Sequence, residues 1–146
     1  MPEKNALVLV LDQFNQEQTT ITQRLEKAMA FVGQEKQQLV QLQEYEQEYL
    51  NKIQTSQQVW SVSHITRYRS FCHQLHHAVA TQEEKVDLAD TVVNQLREQL
   101  AIQKHKTQVL EALIAEKKRE QQQQEDKLLQ KAMDEFSSRK KTSPLR

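Results

Sequence analysis

The 146-residue chain has a formal net charge of zero, one glycine, two prolines and one cysteine, and only 37% of its residues are hydrophobic. So few turn-forming residues argue against a globular fold with many turns, and the balanced charge argues against whole-molecule attraction to nucleic acid. We therefore expect one all-α domain of long helices whose apolar residues fill a narrow seam.

The first helix is predicted over residues 6–54. Alternate steps of four and three residues select fourteen positions in it, eleven of them apolar, and we call these positions the first seam. A repeat of 3.5 residues keeps one narrow stripe facing a partner helix along its whole length. Gly33 lies off the seam, where it costs about 1 kcal/mol relative to Ala. The first seam consists of Leu7, Leu11, Phe14, Gln18, Ile21, Leu25, Ala28, Val32, Glu35, Leu39, Leu42, Glu46, Tyr49 and Ile53.

A turn is predicted over residues 55–63, where short polar residues cluster. Ser63 is the predicted cap of the next helix, because a serine hydroxyl accepts a hydrogen bond from the first free backbone N–H groups. Val59, Trp60 and Val62 are expected to pack over the turn.

The second helix is predicted over residues 64–136, with a disordered basic tail over residues 137–146. Its own 3.5-residue repeat, the second seam, has fifteen positions, of which twelve are apolar. Beyond the seam the sequence is polar all round, so we expect a solvated helical extension with a short apolar face at Leu129, Met133 and Phe136. The second seam consists of Ile65, Tyr68, Cys72, Leu75, Val79, Gln82, Val86, Ala89, Val93, Leu96, Leu100, Gln103, Thr107, Leu110 and Ile114.

The two seams are nearly equal in length, which favours an antiparallel coiled-coil hairpin within one chain. Folding the chain about residue 59 brings Leu7 near Ile114 and Ile53 near Ile65. The competing arrangement, one continuous helix in a parallel dimer, has the same periodicity. The hairpin predicts a monomer when the protein is free, and light scattering separates the two arrangements.

Catalytic and metal sites are not predicted. His73 and His77 are four residues apart and share a helix face, but no acidic third ligand stands at a suitable spacing. Cys72 occupies a seam position, where a thiol packs as a small apolar group, and a two-helix structure offers no pocket for a nucleophile and its base. A single glycine rules out a glycine-rich phosphate loop. We expect a non-enzymatic protein without a cofactor.

The lone cysteine is typical of a reducing compartment. The apolar run from Leu7 to Leu11 is shorter than a membrane span and lacks the basic lead and cleavage site of a signal peptide. These features predict a cytoplasmic location. No basic region precedes the first seam, so a nucleic-acid-binding zipper is not expected.

Two apolar surfaces are candidates for partner binding. Phe71 and Ala78 flank the second seam beside Leu75, and together they form a patch that either widens the core or binds a partner. The run from Leu7 to Leu11 is apolar on all sides and is either a binding tip or a partly buried end. The basic tail is either solubilising or a contact for RNA or membrane.

Four stretches of the chain resemble the flagellar FliJ family, the stalk component of the flagellar type III export apparatus. They occur in one order along most of the length, and their order and spacing are more specific than any single motif. These stretches are Glu44-Tyr45-Glu46-Gln47-Glu48-Tyr49, the group of Phe71, Leu75 and Ala78, Lys85-Val86-Asp87, and Lys131-Ala132-Met133-Asp134-Glu135-Phe136.

The resemblance implies a non-catalytic stalk that lies in the pore of the hexameric export ATPase. It also implies contact with the linker of the export-gate membrane protein, escort of export chaperones for minor filament proteins, and peripheral association with the inner membrane at the flagellar base. Gate contact is implied for Phe71, Leu75, Ala78 and Gln82, where the family pattern can carry His at the last position. ATPase-ring contact is implied for Leu7, Leu9, Leu11, Met133 and Phe136.

Two other functions fit the same helical pattern. One is the equivalent stalk of a virulence type III secretion system, although the Lys-Ala-Met-Asp-Glu-Phe segment favours the flagellar interpretation. The other is a structural coiled-coil dimer unrelated to secretion, which would have twice the mass of the 17.2 kDa chain in solution.

Overall fold

The computed structural model describes residues 2–56 and 60–142 of the chain. Helix α1 spans Pro2–Ser56 and helix α2 spans Val62–Thr142. Of the described residues, only Trp60 and Ser61 lie outside these helices, and none forms a strand. The helices pack against each other, which confirms the predicted all-α hairpin.

The exposure of the side chains follows the 3.5-residue repeat closely. Every position of both seams is buried or half-buried. Outside the seams, the described side chains are exposed except for five half-buried ones: Thr22, Trp60, Ala78, Asp90 and Gln121. Since each helix buries one narrow stripe and exposes the rest, the seams are the core of this protein.

The helices form two compact units, of which one contains residues 19–101 and is called the turn unit here. Its best-packed region is a cluster in which Val32 of α1 contacts Ala89 and Val93 of α2. Leu25 and Ala28 pack against this cluster from the first seam. Small β-branched and alanine side chains at these positions let the two helix backbones approach closely.

The other unit contains the described residues of 1–18 and 102–146 and is called the terminal unit. In it the Gln103 amide donates a hydrogen bond of 3.2 Å to the backbone carbonyl of Phe14, and Leu110 is buried. After Ile114 the described side chains of α2 are exposed apart from Gln121. We call residues 115–142 the α2 extension, because this part of α2 buries no stripe.

The cap of α2 differs from the prediction. Ser61 precedes the first helical residue, Val62, and its hydroxyl accepts a hydrogen bond of 3.3 Å from the backbone N–H of His64. The Ser61 carbonyl also accepts the first helical hydrogen bond, from the N–H of Ile65 at 3.0 Å. The prediction of Ser63 as the cap was therefore wrong, because a serine two residues earlier already satisfies the free N–H groups of the first turn.

The predicted packing at the turn is confirmed for Trp60 and wrong for Val62. The indole of Trp60 is half-buried, with its ring centroid 4.7 Å from that of Tyr68 and 4.9 Å from that of His64. Val62 is 82% exposed at the start of α2. Val59 lies outside the described residues.

Both helices extend beyond their predicted ends. A disordered tail is predicted over residues 137–146, whereas α2 continues to Thr142, and residues 143–146 lie outside the described residues. No glycine or proline interrupts the chain between Phe136 and Pro144, so nothing in the sequence stops the helix earlier. Helix α1 begins at Pro2, and proline is favoured in the first turn because its missing N–H has no partner there in any case.

Candidate partner-binding surfaces

The seam of the turn unit leaves two flanks that differ in chemistry. In heptad notation the seam residues are a and d, so each g residue precedes an a residue and each e residue follows a d residue. In an antiparallel pair the g residues of both helices lie on one side and the e residues on the other. The g flank of the turn unit consists of Arg24, Phe31, Gln38, Tyr45, Lys52, His64, Phe71, Ala78, Lys85, Val92 and Gln99.

The e flank carries an ion pair and a histidine–carboxylate hydrogen bond between the two helices. Lys36 Nζ lies 3.9 Å from Asp90 Oδ1, and both residues are e residues. His76, another e residue, has its Nδ1 atom 2.8 Å from Oε1 of the seam residue Glu46. Both side chains of the Lys36–Asp90 pair are exposed to water, so this pair contributes at most about 1 kcal/mol.

Near the turn, Phe71 of the g flank joins an aromatic cluster that is built on two seam tyrosines. The Phe71 ring meets the Tyr49 ring edge to face, with the two ring centroids 5.0 Å apart. The ring centroids of Tyr49 and Tyr68 are 5.3 Å apart. Trp60 continues the cluster on the turn side of Tyr68. Edge-to-face aromatic pairs contribute about 0.5–1.5 kcal/mol beyond burial, so Phe71 is held in place while 45% of it stays exposed.

Three of the four residues in the implied gate-contact set share an accessible surface. Leu75 and Ala78 are half-buried and follow Phe71 along the same side of α2. An apolar patch with a fixed aromatic ring is typical of protein-binding surfaces, since rigid anchors lose little conformational freedom on binding. The structure therefore places Phe71, Leu75 and Ala78 where a partner can reach them.

Gln82, the fourth residue of that set, is 6% exposed and belongs to the seam. Its amide donates a hydrogen bond of 3.0 Å to the Glu35 backbone carbonyl and a second one to the Glu35 carboxylate. These bonds hold the side chain between the helices. Gln82 therefore contributes to the pairing of α1 with α2, and we leave it out of the surface patch.

The implied ATPase-ring residues fall into two groups within the terminal unit. Leu7 and Leu11 are half-buried seam residues, whereas Leu9 is 67% exposed. Met133 and Phe136 are 62% and 68% exposed on the α2 extension. Because Phe14 pairs with Gln103, the start of α1 lies beside α2 near residue 115, about 27 Å of helix before Met133. The structure does not bring the two groups together.

A second apolar surface on the g flank was missed by the sequence analysis. Phe31 of α1 and Val92 of α2 are 52% and 47% exposed, and Leu88 next to them is 68% exposed. Together with Lys27, Ala28, Glu35, Lys85 and Ala89 they line one open groove between the helices. We call it the mid-hairpin groove. The signal that identifies it is the g position of Phe31 and Val92, which shows only when the seams of both helices are aligned in opposite directions.

Comparison with protein-family models identifies a family for this chain. The family model described as the flagellar FliJ protein matches residues 3–143. The chain belongs to the FliJ family. No curated protein and no solved structure matches it.

Membership of the FliJ family gives the chain a role connected with flagellar protein export, in a family of non-enzymatic export components. It also favours the flagellar interpretation over a virulence secretion system or an unrelated coiled-coil dimer. Neither described helix has an apolar stretch capable of crossing a membrane.

The cysteine and histidines considered in the sequence analysis differ in their exposure. Cys72 is 7% exposed in the seam, and burial raises the pKa of its thiol, with the Glu46 carboxylate adding to the effect. A raised pKa disfavours the thiolate and makes the sulfur a poor nucleophile. His73 and His77 are exposed, and the described residues contain no group of three His, Cys, Asp or Glu side chains that could hold a metal ion.

Proposed function

We propose that this FliJ-family chain is a non-catalytic stalk and chaperone escort of the flagellar export apparatus, which couples the export ATPase ring to the membrane export gate. The family match over residues 3–143 is the observation that carries the proposal. The partners are the hexameric export ATPase, the linker of the export-gate membrane protein and the chaperones of minor filament proteins. The chain is a monomer when free.

The surface around Phe71 supports gate binding. Its ring is 45% exposed, is fixed by Tyr49 and adjoins the half-buried Leu75 and Ala78. Binding would cover apolar area that now faces water, which contributes roughly 25 cal/mol for each Å² buried. The patch thus offers a small, pre-positioned anchor for an apolar segment of the linker.

The terminal unit supports contact with the ATPase ring. Leu9, Met133 and Phe136 lie outside the seam and expose most of their side chains. Covering such apolar side chains with another protein would remove their apolar surface from water, which favours binding. In the proposed function these residues contact the inner surface of the ring, and the assembly lies in the cytoplasm at the inner membrane of the flagellar base.

A stalk that transmits a conformational bias needs helices without weak points. Neither helix contains a proline beyond Pro2, and the seam repeat is unbroken from Leu7 to Ile53 in α1 and from Ile65 to Ile114 in α2. Both features keep the i to i−4 hydrogen bonds of the helices intact, because kinks arise mostly at proline or at inserted residues.

The experiment that tests the proposal is a pair of binding assays with the purified full chain. Phe71→Ala should weaken binding to the export-gate linker about tenfold or more and leave ATPase binding unchanged. The double variant Leu9→Glu with Phe136→Glu should weaken ATPase binding and leave linker binding unchanged. It should also reduce the effect of the chain on ATPase hexamer assembly. Val40→Ala is the matched control, because Val40 is 51% exposed and lies outside both surfaces.

The helical content of each variant should equal that of the wild type. If Phe71→Ala unfolds the chain, Phe71 is a core residue and the gate-contact surface is wrong. If the wild type binds neither the ATPase nor the linker, the stalk function itself is wrong.

A further inference from the structure

We propose that the mid-hairpin groove is a docking site for an acidic amphipathic helix of a partner protein. The proposal concerns a surface separate from the gate and ATPase contacts and does not depend on them. It rests on the exposed apolar groove, the buried cluster beneath it and the charges along its edges.

The groove is apolar and open in a part of the hairpin that is otherwise well packed. Phe31, Leu88 and Val92 each leave about half or more of their side chain in water. Directly beneath them lies the cluster of Val32, Ala89 and Val93. An exposed apolar surface on such a firm base does not collapse to cover itself, so the exposure persists until another molecule covers it.

The dimensions of the groove fit a helix. Its α2 edge runs from Lys85 to Val92, one heptad or about 10 Å of helix. A third helix laid along two antiparallel helices inserts side chains spaced i, i+3, i+4 and i+7 into such a groove. An apolar stripe of one to two heptads is therefore enough to occupy it.

The charges at the edges select an acidic partner. Lys27 lies at one end of the groove and Lys85 at the other, and Arg24 follows on the g flank. None of the ion pairs found among the described side chains involves Lys27 or Lys85. Glu35 also lines the groove, but its carboxylate accepts a hydrogen bond from Gln82.

Acidic residues are missing from the c and g positions along the two sides of the groove. The c residues stand three positions after each g residue and lie next to the g flank on the helix surface. Between residues 20 and 45 of α1 and residues 71 and 99 of α2, no c or g position holds Asp or Glu. Carboxylates beside the apolar stripe of a partner would therefore meet Arg24, Lys27 and Lys85, and the one carboxylate that lines the groove, Glu35, is turned toward Gln82 in the seam. Such complementarity raises the rate of association and selects against basic partners.

The same charges disfavour a second copy of this chain as the occupant. Two copies joined groove to groove would place Lys27 and Lys85 of one chain near the same lysines of the other. Like charges in a partly desolvated interface cost free energy without compensation. A separate acidic helix avoids this repulsion.

The test uses two synthetic three-heptad peptides with the same leucine stripe, one flanked by glutamate and the other by lysine. Isothermal titration calorimetry with the full chain should detect binding of the acidic peptide and at least about tenfold weaker binding of the basic one. Leu88→Glu and Val92→Glu should each weaken the acidic peptide by about tenfold or more. The double variant Lys27→Glu with Lys85→Glu should reverse the preference between the peptides.

Val40→Glu is the matched control, because Val40 is as exposed as Phe31 but lies outside the groove. It should bind the acidic peptide like the wild type, and all variants should keep wild-type helicity. Absence of acidic-peptide binding, equal binding of the two peptides, or equal loss in Val40→Glu would overturn the proposal. So would self-association of the free chain that Leu88→Glu abolishes, since the occupant would then be a second copy. Leu88→Glu should leave ATPase and gate binding unchanged, so a failure here is distinct from a failure of the stalk function.

Discussion

The Gln82 amide donates a hydrogen bond of 3.0 Å to the backbone carbonyl of Glu35, although 47 residues separate the two in sequence. Its second bond, to the Glu35 carboxylate, makes a polar layer within an apolar seam. A shift of the helices by one heptad would leave the buried amide facing an apolar residue. The pair therefore favours a single register, as buried polar residues do in other coiled coils.

Removing this layer should destabilise the hairpin. Gln82→Ala leaves the partly buried Glu35 carboxylate without its partner, and we expect a loss of about 1–3 kcal/mol in the free energy of unfolding. Urea unfolding followed by circular dichroism measures it. Gln95→Ala is the control, since Gln95 is exposed on the same helix, and its change should stay below about 0.5 kcal/mol. Equal losses in both variants would contradict the role of Gln82.

Two neighbouring valines should respond differently to truncation. Val93 packs in the cluster with Val32 and is 5% exposed, whereas Val92 is 47% exposed. Val93→Ala removes buried apolar surface and leaves a small cavity, so we expect a loss of about 2 kcal/mol. Val92→Ala should cost less than about 0.5 kcal/mol. Thermal unfolding of the two variants side by side checks the burial of the seam, and the reverse order would mean that the helix faces are misassigned.

Replacing the single glycine should stabilise the protein. Gly33 lies within α1 with ordinary helical dihedrals, and a Cβ atom added there meets nothing within 4 Å. Alanine favours the helix by about 1 kcal/mol relative to glycine. Gly33→Ala should therefore raise the free energy of unfolding by that amount in a urea titration. A destabilised variant would show that another group packs against this position.

A proline in the α2 extension should act locally. Gln123→Pro falls where α2 buries no stripe, so it should lower the helical signal of circular dichroism and leave the main unfolding transition in place. Gln95→Pro falls where α2 pairs with α1 in the turn unit, so it should destabilise the hairpin by about 3 kcal/mol or more. If Gln123→Pro lowers the main transition as much as Gln95→Pro does, the extension is part of the cooperative core.

Cys72 should react slowly with alkylating reagents in the folded state. The thiol is buried in the seam, and its pKa is raised by burial and by the Glu46 carboxylate. Iodoacetamide at mildly alkaline pH should modify it much faster in concentrated urea than in buffer, as mass spectrometry can follow. Equal rates in the two conditions would mean that the seam opens readily at Cys72.

The same pKa shift predicts a loss of stability at high pH. Because the folded chain holds the Cys72 proton at pH values where the unfolded chain releases it, the stabilisation is complete below about pH 8.5 and declines as pH rises further. The pKa of Tyr68 is also raised, mainly by burial, and Tyr49 and Cys72 add to it, so Tyr68 extends the decline above about pH 10. The measurement is the urea midpoint of unfolding as a function of pH. In Cys72→Ala the decline that begins at about pH 8.5 should disappear, and the decline above about pH 10 should remain.

Most of the fold could be predicted from the sequence. All twenty-nine seam positions, fourteen in α1 and fifteen in α2, are buried or half-buried as the 3.5-residue repeat predicts. The helix ends were less predictable. Ser61 and Ser63 both suit a cap, and the choice between them depends on where the chain leaves the turn. The end of α2 at Thr142 depends on intrinsic helix propensity, which has no periodic signal.

The surfaces were harder to predict than the core. Phe71 stands out in a single helix, because it lies beside Leu75 and Ala78. Phe31 and Leu88 belong to different helices, and only the antiparallel register makes them neighbours. Gln82 presents the opposite difficulty. It occupies a seam position and also belongs to the implied gate-contact set, and only its hydrogen bonds to Glu35 assign it to the core.

Trp60 gives the hairpin an internal optical reporter. It is the chain's single tryptophan, and just before α2 its indole meets the His64 ring edge to face and the Tyr68 ring at a tilt. Its fluorescence emission should shift to longer wavelength when the turn opens, while circular dichroism follows the helices as a whole. Comparing the two signals during refolding would show whether the chain closes from the turn or from the paired helices further away.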